Sequence, residues 1–134
     1  MAEPEIHPDL RSKMNKILGA MSMLGFPMRM VQGVRTAEYQ HSLWLKGRNA
    51  SGQVLDAKLI VTNCDGYYVK SNHQVKADGF GHAVDLAFVD SQGKPTWDLS
   101  LPWKVAGECG KALGLIWGGD FKSLKQDLGH LELP

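Results

Sequence analysis

Histidine and carboxylate side chains gather in three short segments of the second half of the chain, where together they could bind a metal ion. These segments are residues 71–73, 78–85 and 127–132. Two imidazoles and one carboxylate suffice to hold a catalytic zinc ion, because they leave one coordination position for water. The metal lowers the pKa of that water, and a nearby carboxylate can then accept its proton. Asp127, three residues before His130, is suitably placed for this role without being a ligand.

The same spacings also fit a simpler role, in which a histidine and an aspartate hydrogen-bond to each other and fix a loop. Other chemistries have less support. Ser71 lies two residues before His73, but no Gly-x-Ser-x-Gly turn surrounds it. The chain also has no Gly-rich phosphate-binding loop and no Gly-x-Gly-x-x-Gly dinucleotide motif.

The composition limits the classes of partner. The 15 Lys and Arg residues nearly balance the 14 Asp and Glu residues, which leaves a formal net charge of +1. A protein that binds nucleic acid by neutralising phosphates normally has a marked basic excess or a basic stripe. No apolar run approaches the roughly 20 residues that cross a bilayer. We therefore expect no nucleic-acid partner and no membrane insertion. We also expect a monomer.

Three segments of the chain have the sequence features of helices. Apolar residues spaced three and four apart predict a helix over residues 9–24, with Asp9 as its N-cap. Thr36 is suited to cap a second helix over residues 37–46. A third helix is expected to follow Pro102 and to end before a glycine.

Short apolar runs between the helices predict strands, over residues 28–34, 83–89, 115–117 and 129–133. Residues 57–62 are expected to form a short strand or a helix end. Helices and short strands without βαβ regularity predict an α+β fold with a small antiparallel sheet and flanking helices. At 134 residues the chain has the length of a single domain, which we expect to span residues 1–134.

The N-terminal segment is acidic and proline-rich and lacks the charged-then-apolar pattern of a signal peptide. We therefore expect the protein to be cytoplasmic when made. Two cysteines, Cys64 and Cys109, are too few for a disulfide scaffold, and two buried free thiols are expected.

Several partial motifs occur in the order typical of one peptidase family. They are Ser71-x-His73, Gly81-x-Ala83-x-Asp85 and Asp127-x-x-His130. In this the sequence resembles the zinc D-alanyl-D-alanine carboxypeptidase family, which includes the phage L-alanyl-D-glutamate endolysins. Residues 33–36 resemble the family's arginine-bearing strand, and residues 117–121 resemble the loop before its last ligand. The resemblance covers most of the chain and implies a hedgehog/DD-peptidase type of α+β fold.

The resemblance also implies roles for individual residues. His73, Asp85 and His130 would be the ligands of one Zn²⁺ ion per chain, and Asp127 the general base and acid. Arg35 would anchor the substrate or stabilise the transition state, since its guanidinium offers a fixed fork of donors.

Three further residues, Ser71, Gln40 and His82, are expected to contact the substrate. The spacing in the family is shorter than here, where eleven residues separate His73 from Asp85. The longer segment makes His82 an alternative first ligand, but alternation along a strand would turn His82 away from Asp85 and favours His73. Glu132 would share a strand face with His130, either as support for that ligand or as a terminal carboxylate.

The function implied by the resemblance is hydrolysis of an amide bond in the stem peptide of peptidoglycan, with the L-alanyl-D-glutamate bond as the expected target. A D-alanyl-D-alanine carboxypeptidase is the near alternative. A non-catalytic, zinc-stabilised binding module on the same fold is the alternative from another class, and it would have no need of Asp127. We expect a phage or prophage lysin that reaches the cell wall after holin-type release.

Overall fold

Three helices and five short strands form an α+β fold in residues 5–122 and 126–134, the part of the chain that the computed structural model describes. The helices are α1 (Pro8–Met23), α2 (Ala37–Trp44) and α3 (Trp103–Ala112). The strands are β1 (Met28–Gln32), β2 (Ala83–Val89), β3 (Pro95–Thr96), β4 (Ile116–Trp117) and β5 (His130–Glu132). The predicted fold class is confirmed.

The strands form one antiparallel sheet in the order β1-β2-β5-β4. The short β3 pairs with the C-terminal end of β2, whereas β5 pairs with its first three residues. Strand β2 is therefore the centre of the sheet and is bonded along both edges. Both faces of β2 are also covered, since Val84, Leu86 and Phe88 on one face and Ala83 and Ala87 on the other are buried. This accounts for its nearly continuous apolar sequence.

The hydrophobic core lies between the sheet and helices α1 and α3. The predicted stripe of α1 supplies four buried side chains, Leu10, Met14, Ile17 and Met21. They belong to one cluster with Val84, Leu86 and Phe88 of β2 and with Trp103 and Ala106 of α3. The rings of Phe88 and Trp103 meet edge to face with centroids 4.7 Å apart, a geometry that aromatic pairs favour.

The start of α1 differs from the prediction. The N-cap is His7, and not Asp9, because Pro8 fits the first helical position, where no backbone donor is needed. The His7 Nδ1 atom accepts the amide hydrogen of Asp9, at 3.0 Å. Asp9 instead lies in the first turn, where its negative charge interacts favourably with the positive end of the helix dipole.

Other elements match the predictions more closely. Thr36 caps α2 by accepting the amide hydrogen of Tyr39, and β2 has its predicted bounds. Strand β1 ends earlier than predicted, and residues 57–62 contain a short 3-10 helix at Ala57–Leu59.

Cys64 and Cys109 are free but half-buried, so the expected full burial is wrong. No helix in the described ranges is long and apolar enough to cross a membrane.

Two helical glycines in different surroundings test the packing of α3. In α3, a Cβ at Gly107 would overlap the indole ring of Trp117, whereas a Cβ at Gly19 in α1 has nothing within 4 Å. We expect Gly107→Ala to lower the free energy of unfolding by about 1–3 kcal/mol through overpacking. Gly19→Ala should raise it by about 0.4–1 kcal/mol, because alanine loses less backbone entropy in a helix. Urea denaturation of both variants measures the two changes, and a stabilised Gly107→Ala protein would contradict the packing.

Candidate metal centre

Strand register brings two of the predicted ligands together. In the antiparallel pairing, Asp85 of β2 lies opposite His130 of β5 on one edge and opposite Gln32 of β1 on the other. The register of β1 shifts between Met30 and Gln32, which leaves Val31 as an extra, bulged residue. The bulge places the polar Gln32, rather than an apolar neighbour, beside Asp85.

His73 reaches the same point from a loop that is tied to the chain after β1. The Arg35 amide donates to the His73 carbonyl at 2.9 Å, and His73 Nδ1 donates to the Gly33 carbonyl at 2.8 Å. The Ser71 hydroxyl accepts the amide hydrogen of His73 at 3.2 Å. Because a carbonyl can only accept, Nδ1 carries the proton and Nε2 keeps its lone pair. His73 is 1% exposed, so its ring is fixed in this orientation.

Three possible ligand atoms converge at this point. His73 Nε2 lies 3.4 Å from one oxygen of Asp85, and His130 Nδ1 lies 3.2 Å from the other. The two ring nitrogens are 3.2 Å apart. Potential ligand atoms of the three residues all lie within 4.8 Å of one another. His73, and not His82, therefore joins Asp85 and His130.

The second nitrogen of His130 is held by Glu132. His130 Nε2 donates to Glu132 at 2.7 Å, and the other Glu132 oxygen accepts a hydrogen bond from the Asn72 side chain. Glu132 shares the face of β5 with His130, as alternation along the strand predicts. Glu132 is thus a support for His130 rather than a free terminal carboxylate. Asn72 was missed in the sequence, where nothing but its place next to His73 marks it.

These residues fit a metal ion by their chemistry. Two neutral imidazole nitrogens and one carboxylate are the ligand types of catalytic zinc. Each imidazole also has its other nitrogen bonded to an acceptor, Gly33 carbonyl for His73 and Glu132 for His130. Such partners fix the ring orientation and make a metal-binding histidine more basic. The cluster is consistent with a metal site.

Arg35 contacts the cluster through Asp85. Its Nη2 donates to Asp85 at 3.0 Å, its Nε donates to Gln32 at 2.8 Å, and its Nη1 donates to Gln40 at 3.1 Å. Gln40 is fully buried and also donates to the carbonyl of Cys64. Gln40 therefore does not lie where a substrate could touch it, contrary to the expectation. Its role in this structure is to position Arg35.

A tight turn before β5 places Asp127 beside the cluster. The Asp127 amide donates to the Gly118 carbonyl at 3.0 Å, and the His130 amide donates to the Asp127 carbonyl at 3.2 Å. Gly118 is required here, because a Cβ would overlap the Asp127 carbonyl. One carboxylate oxygen of Asp127 lies 3.8 Å from His130 Nδ1. The side chain is half-exposed and makes no closer ion pair among the described residues.

The electrostatics of the cluster favour positive charge at its centre. Burial raises the pKa of Asp85, but hydrogen bonds and charge from His130 and His73 outweigh burial and hold that pKa well below its usual range. Burial lowers the pKa of His130, but Asp85 and Glu132, followed by Asp127, raise it to about 9. Three carboxylates thus surround His130 and stabilise a cation there.

The pKa values of Asp127 and Glu132 are shifted in opposite directions. Burial and then the charge of Asp85 raise the pKa of Asp127, and the nearby histidines only partly offset this. Burial also raises the pKa of Glu132, but the hydrogen bond and charge of His130, together with the hydrogen bond from Asn72 and the charge of His73, outweigh burial and lower that pKa overall. Asp127 is therefore the better proton acceptor of these two carboxylates.

Two open cavities meet at Asp127. The histidine-side cavity, of about 520 Å³, is lined by His73, His130 and Arg35 among others. The tryptophan-side cavity, of about 350 Å³, is lined by Trp97, Tyr39 and Asp85 among others. Because Asp127 lines both, the two cavities adjoin at this residue, beside the ligand cluster, and together form one cleft.

The remaining predicted substrate contacts lie in different places. Ser71 lines the histidine-side cavity, though it is largely buried. His82 lines neither cavity, and its Nε2 lies 2.6 Å from Asp78. The ring of His82 also meets His7 edge on, with centroids 5.5 Å apart. In this structure, His82 fixes the loop between His73 and Asp85 and does not reach the cleft.

Comparison with known proteins adds independent support. A family model described as D-alanyl-D-alanine carboxypeptidase matches residues 66–133. The peptidoglycan L-alanyl-D-glutamate endopeptidase CwlK of Bacillus subtilis is 28% identical over 137 residues, which cover 96% of this chain and 74% of CwlK.

Solved structures share the fold. The L-Ala D-Glu endopeptidase ChiX of Serratia marcescens superposes with a TM-score of 0.60 at 25% identity, over 96% of this chain and 80% of ChiX. The vancomycin-resistance D,D-pentapeptidase VanY, solved in complex with Zn(II), gives a TM-score of 0.62 at 17% identity, over 99% of this chain and 75% of VanY. The family match spans more than half of the chain and includes all three residues of the cluster. The chain therefore belongs to the D-alanyl-D-alanine carboxypeptidase family, peptidase family M15, and is a metallopeptidase.

Proposed function

We propose that this protein is a zinc-dependent endopeptidase that hydrolyses the L-alanyl-D-glutamate bond of peptidoglycan stem peptides, with residues 1–134 as one catalytic domain. The observation that carries the proposal is the convergence of His73, Asp85 and His130 beside Asp127 at the junction of an open cleft. The names of CwlK and ChiX, both L-alanyl-D-glutamate endopeptidases, support the choice of bond.

In this proposal His73, Asp85 and His130 would hold one zinc ion. Bound zinc would supply a Lewis acid that polarises the peptide carbonyl and acidifies the attacking water. Asp127 accepts a proton from that water as the water's oxygen attacks the carbonyl carbon. Asp127 then gives the proton to the departing nitrogen, so that a carboxylic acid and a free amine result. The raised pKa of Asp127 suits both steps.

Arg35 has two tasks in this mechanism. Its bond to Asp85 fixes the orientation of that ligand. Three of the five N–H groups of the guanidinium are used by Asp85, Gln32 and Gln40. Because Arg35 also lines the histidine-side cavity, we propose that a remaining donor stabilises the oxyanion that develops on the carbonyl.

The open cleft favours an endopeptidase over the carboxypeptidase alternative. A carboxypeptidase binds a chain end and needs little room beyond the terminal residue, whereas an endopeptidase must accommodate substrate on both sides of the bond. Here two cavities with otherwise different linings adjoin at Asp127. The Asp127 side chain is half-exposed and its pKa is raised. Such a carboxylate likewise favours an enzyme over a zinc-stabilised binding module, in which Asp127 would have no function.

The wider biological setting is also a proposal. We propose that the protein acts as a monomer and as a phage or prophage lysin, made in the cytoplasm and reaching the cell wall after holin-type release. The resemblance of the motifs to those of phage endolysins supports it.

Digestion of purified peptidoglycan tests the function directly. The zinc-loaded protein should release new N-terminal D-glutamate residues, identified by mass spectrometry of the products. A strong chelator should abolish the release and added zinc should restore it, because the ligands on their own cannot polarise the carbonyl. New termini at D-alanine would instead show a carboxypeptidase. Full activity of protein shown by elemental analysis to be free of metal would refute the mechanism.

Separate variants distinguish the base from the ligands. Asp127→Asn should lower kcat by about 10²–10⁴-fold, because no group then accepts the water's proton. Its zinc content should stay near one ion per chain. His130→Ala should lose both activity and zinc, since a ligand is removed. Elemental analysis together with initial rates separates the two variants, and loss of zinc from Asp127→Asn would make Asp127 a ligand.

Glu132 and Asp78 form a matched pair of carboxylates, each bonded to the Nε2 of a histidine, at 2.7 and 2.6 Å. Only the partner of Glu132 belongs to the cluster. Glu132→Gln should weaken zinc binding by about 10–100-fold, because His130 loses the charge that orients it and makes it basic. Asp78→Asn should leave zinc affinity unchanged. Competition with a chromogenic chelator measures both affinities, and equal effects of the two changes would contradict the assigned role of Glu132.

A further inference from the structure

The two cavities of the cleft differ in charge. The histidine-side cavity is lined by three cationic residues besides its histidines, namely Arg35, Lys46 and Lys70. The lining of the tryptophan-side cavity, among the described residues, contains no Lys, Arg or His but does contain the carboxylate of Asp85. The carboxylate of Asp127 lines both cavities. The cleft therefore has a basic end and an end without cations.

Of the three cations at the basic end, the two lysines are the ones that are not paired with an acidic side chain. Arg35 is paired with Asp85, and Glu132, an acid in the same lining, is bonded to His130 and Asn72. Neither Lys46 nor Lys70 takes part in an ion pair within residues 5–122 and 126–134. Two exposed ammonium groups without a counter-ion in one cavity favour a negatively charged ligand there.

The backbone at both lysines is well held. Lys70 follows a turn in which one oxygen of Asp65 accepts three successive amide hydrogens, from Tyr67, Tyr68 and Val69. On its other side, the Ser71 amide donates to the buried side chain of Gln74. Lys46 follows the last turn of α2, with its amide bonded to the Leu43 carbonyl. The backbone from which each lysine extends is therefore fixed, while each ammonium group keeps the freedom of its flexible four-carbon stem.

The L-alanyl-D-glutamate bond likewise has a charged group on one side only. D-Glutamate continues the stem peptide through its side-chain carboxyl group, so its α-carboxylate is free and lies next to the scissile nitrogen. On the other side, L-alanine is joined through an amide to the lactyl group of an uncharged amino sugar. Only the amine side of the bond carries negative charge, and only one end of the cleft carries free cations.

We propose, building on the proposed function, that Lys46 and Lys70 bind the free α-carboxylate of D-glutamate and so set the direction of the substrate in the cleft. The amine side of the bond then lies in the histidine-side cavity. The acyl side lies in the tryptophan-side cavity, where Trp97 is 60% and Tyr39 45% exposed. Exposed aromatic faces of this kind suit contact with the apolar face of a sugar ring.

A pair of synthetic stem peptides tests the proposal. One contains L-alanyl-D-glutamate, and the other contains L-alanyl-D-isoglutamine, in which a neutral amide replaces the α-carboxylate. For Lys46→Gln/Lys70→Gln we expect KM on the D-glutamate peptide to rise about three- to tenfold, as for the loss of two exposed charge contacts. On the D-isoglutamine peptide KM should change by less than about twofold. Zinc content should be unchanged.

Lys16→Gln/Lys104→Gln is the matched control, because it removes the same charge from exposed sites on α1 and α3 that line neither cavity. Its kinetics on both peptides should match the wild type. Equal losses on the two peptides in the cavity variant, or a wild type that does not prefer the acidic peptide, would overturn the proposal while the endopeptidase function stands. If the zinc-loaded wild type cuts neither peptide between alanine and the next residue, the proposed function fails and this inference fails with it.

Discussion

A largely buried carboxylate at the centre of the sheet is the constraint on which the rest of the structure depends. An ionised group that leaves water is costly unless charged and hydrogen-bonding partners replace its hydration. The side chain of Asp85 is only 17% exposed, and Arg35, His73 and His130 all contact its two oxygens. Because Arg35 and His130 lie 50 and 45 residues away in sequence, these contacts form only when both edges of β2 are correctly paired.

Each partner of Asp85 is in turn held by a further contact, so the polar cluster has no loose member. Arg35 is held by Gln32 and by the fully buried Gln40, and the two imidazoles are held by the Gly33 carbonyl and Glu132. No side-chain nitrogen or oxygen buried in the described ranges lacks a hydrogen bond. A fully satisfied network of this kind is rigid, and rigid ligands bind a metal without first having to be ordered.

The sequence predicted what periodicity and local capping determine. The buried stripe of α1, the Thr36 cap and the bounds of β2 all follow from neighbours within a few residues. The two-residue β3 carries no periodicity, and so it was missed. Resemblance to a family suggested the ligand set, but no pattern within the chain shows that Arg35 bonds Asp85 or that Gln40 is buried, since both depend on tertiary contacts.

The long segment between His73 and Asp85 shows why sequence spacing is a weaker guide than register. Extra residues in a loop add little closure entropy, because that cost grows only with the logarithm of loop length. Here the segment turns at Gly79 (φ +87) and is tied to the N-terminal chain, with the Gly81 amide donating to the Glu5 carbonyl. His82, the nearest histidine to Asp85, is held by Asp78 on this loop. His73 reaches Asp85 because residues 33–35 and the strand pairing fix its position, whatever the length of chain between them.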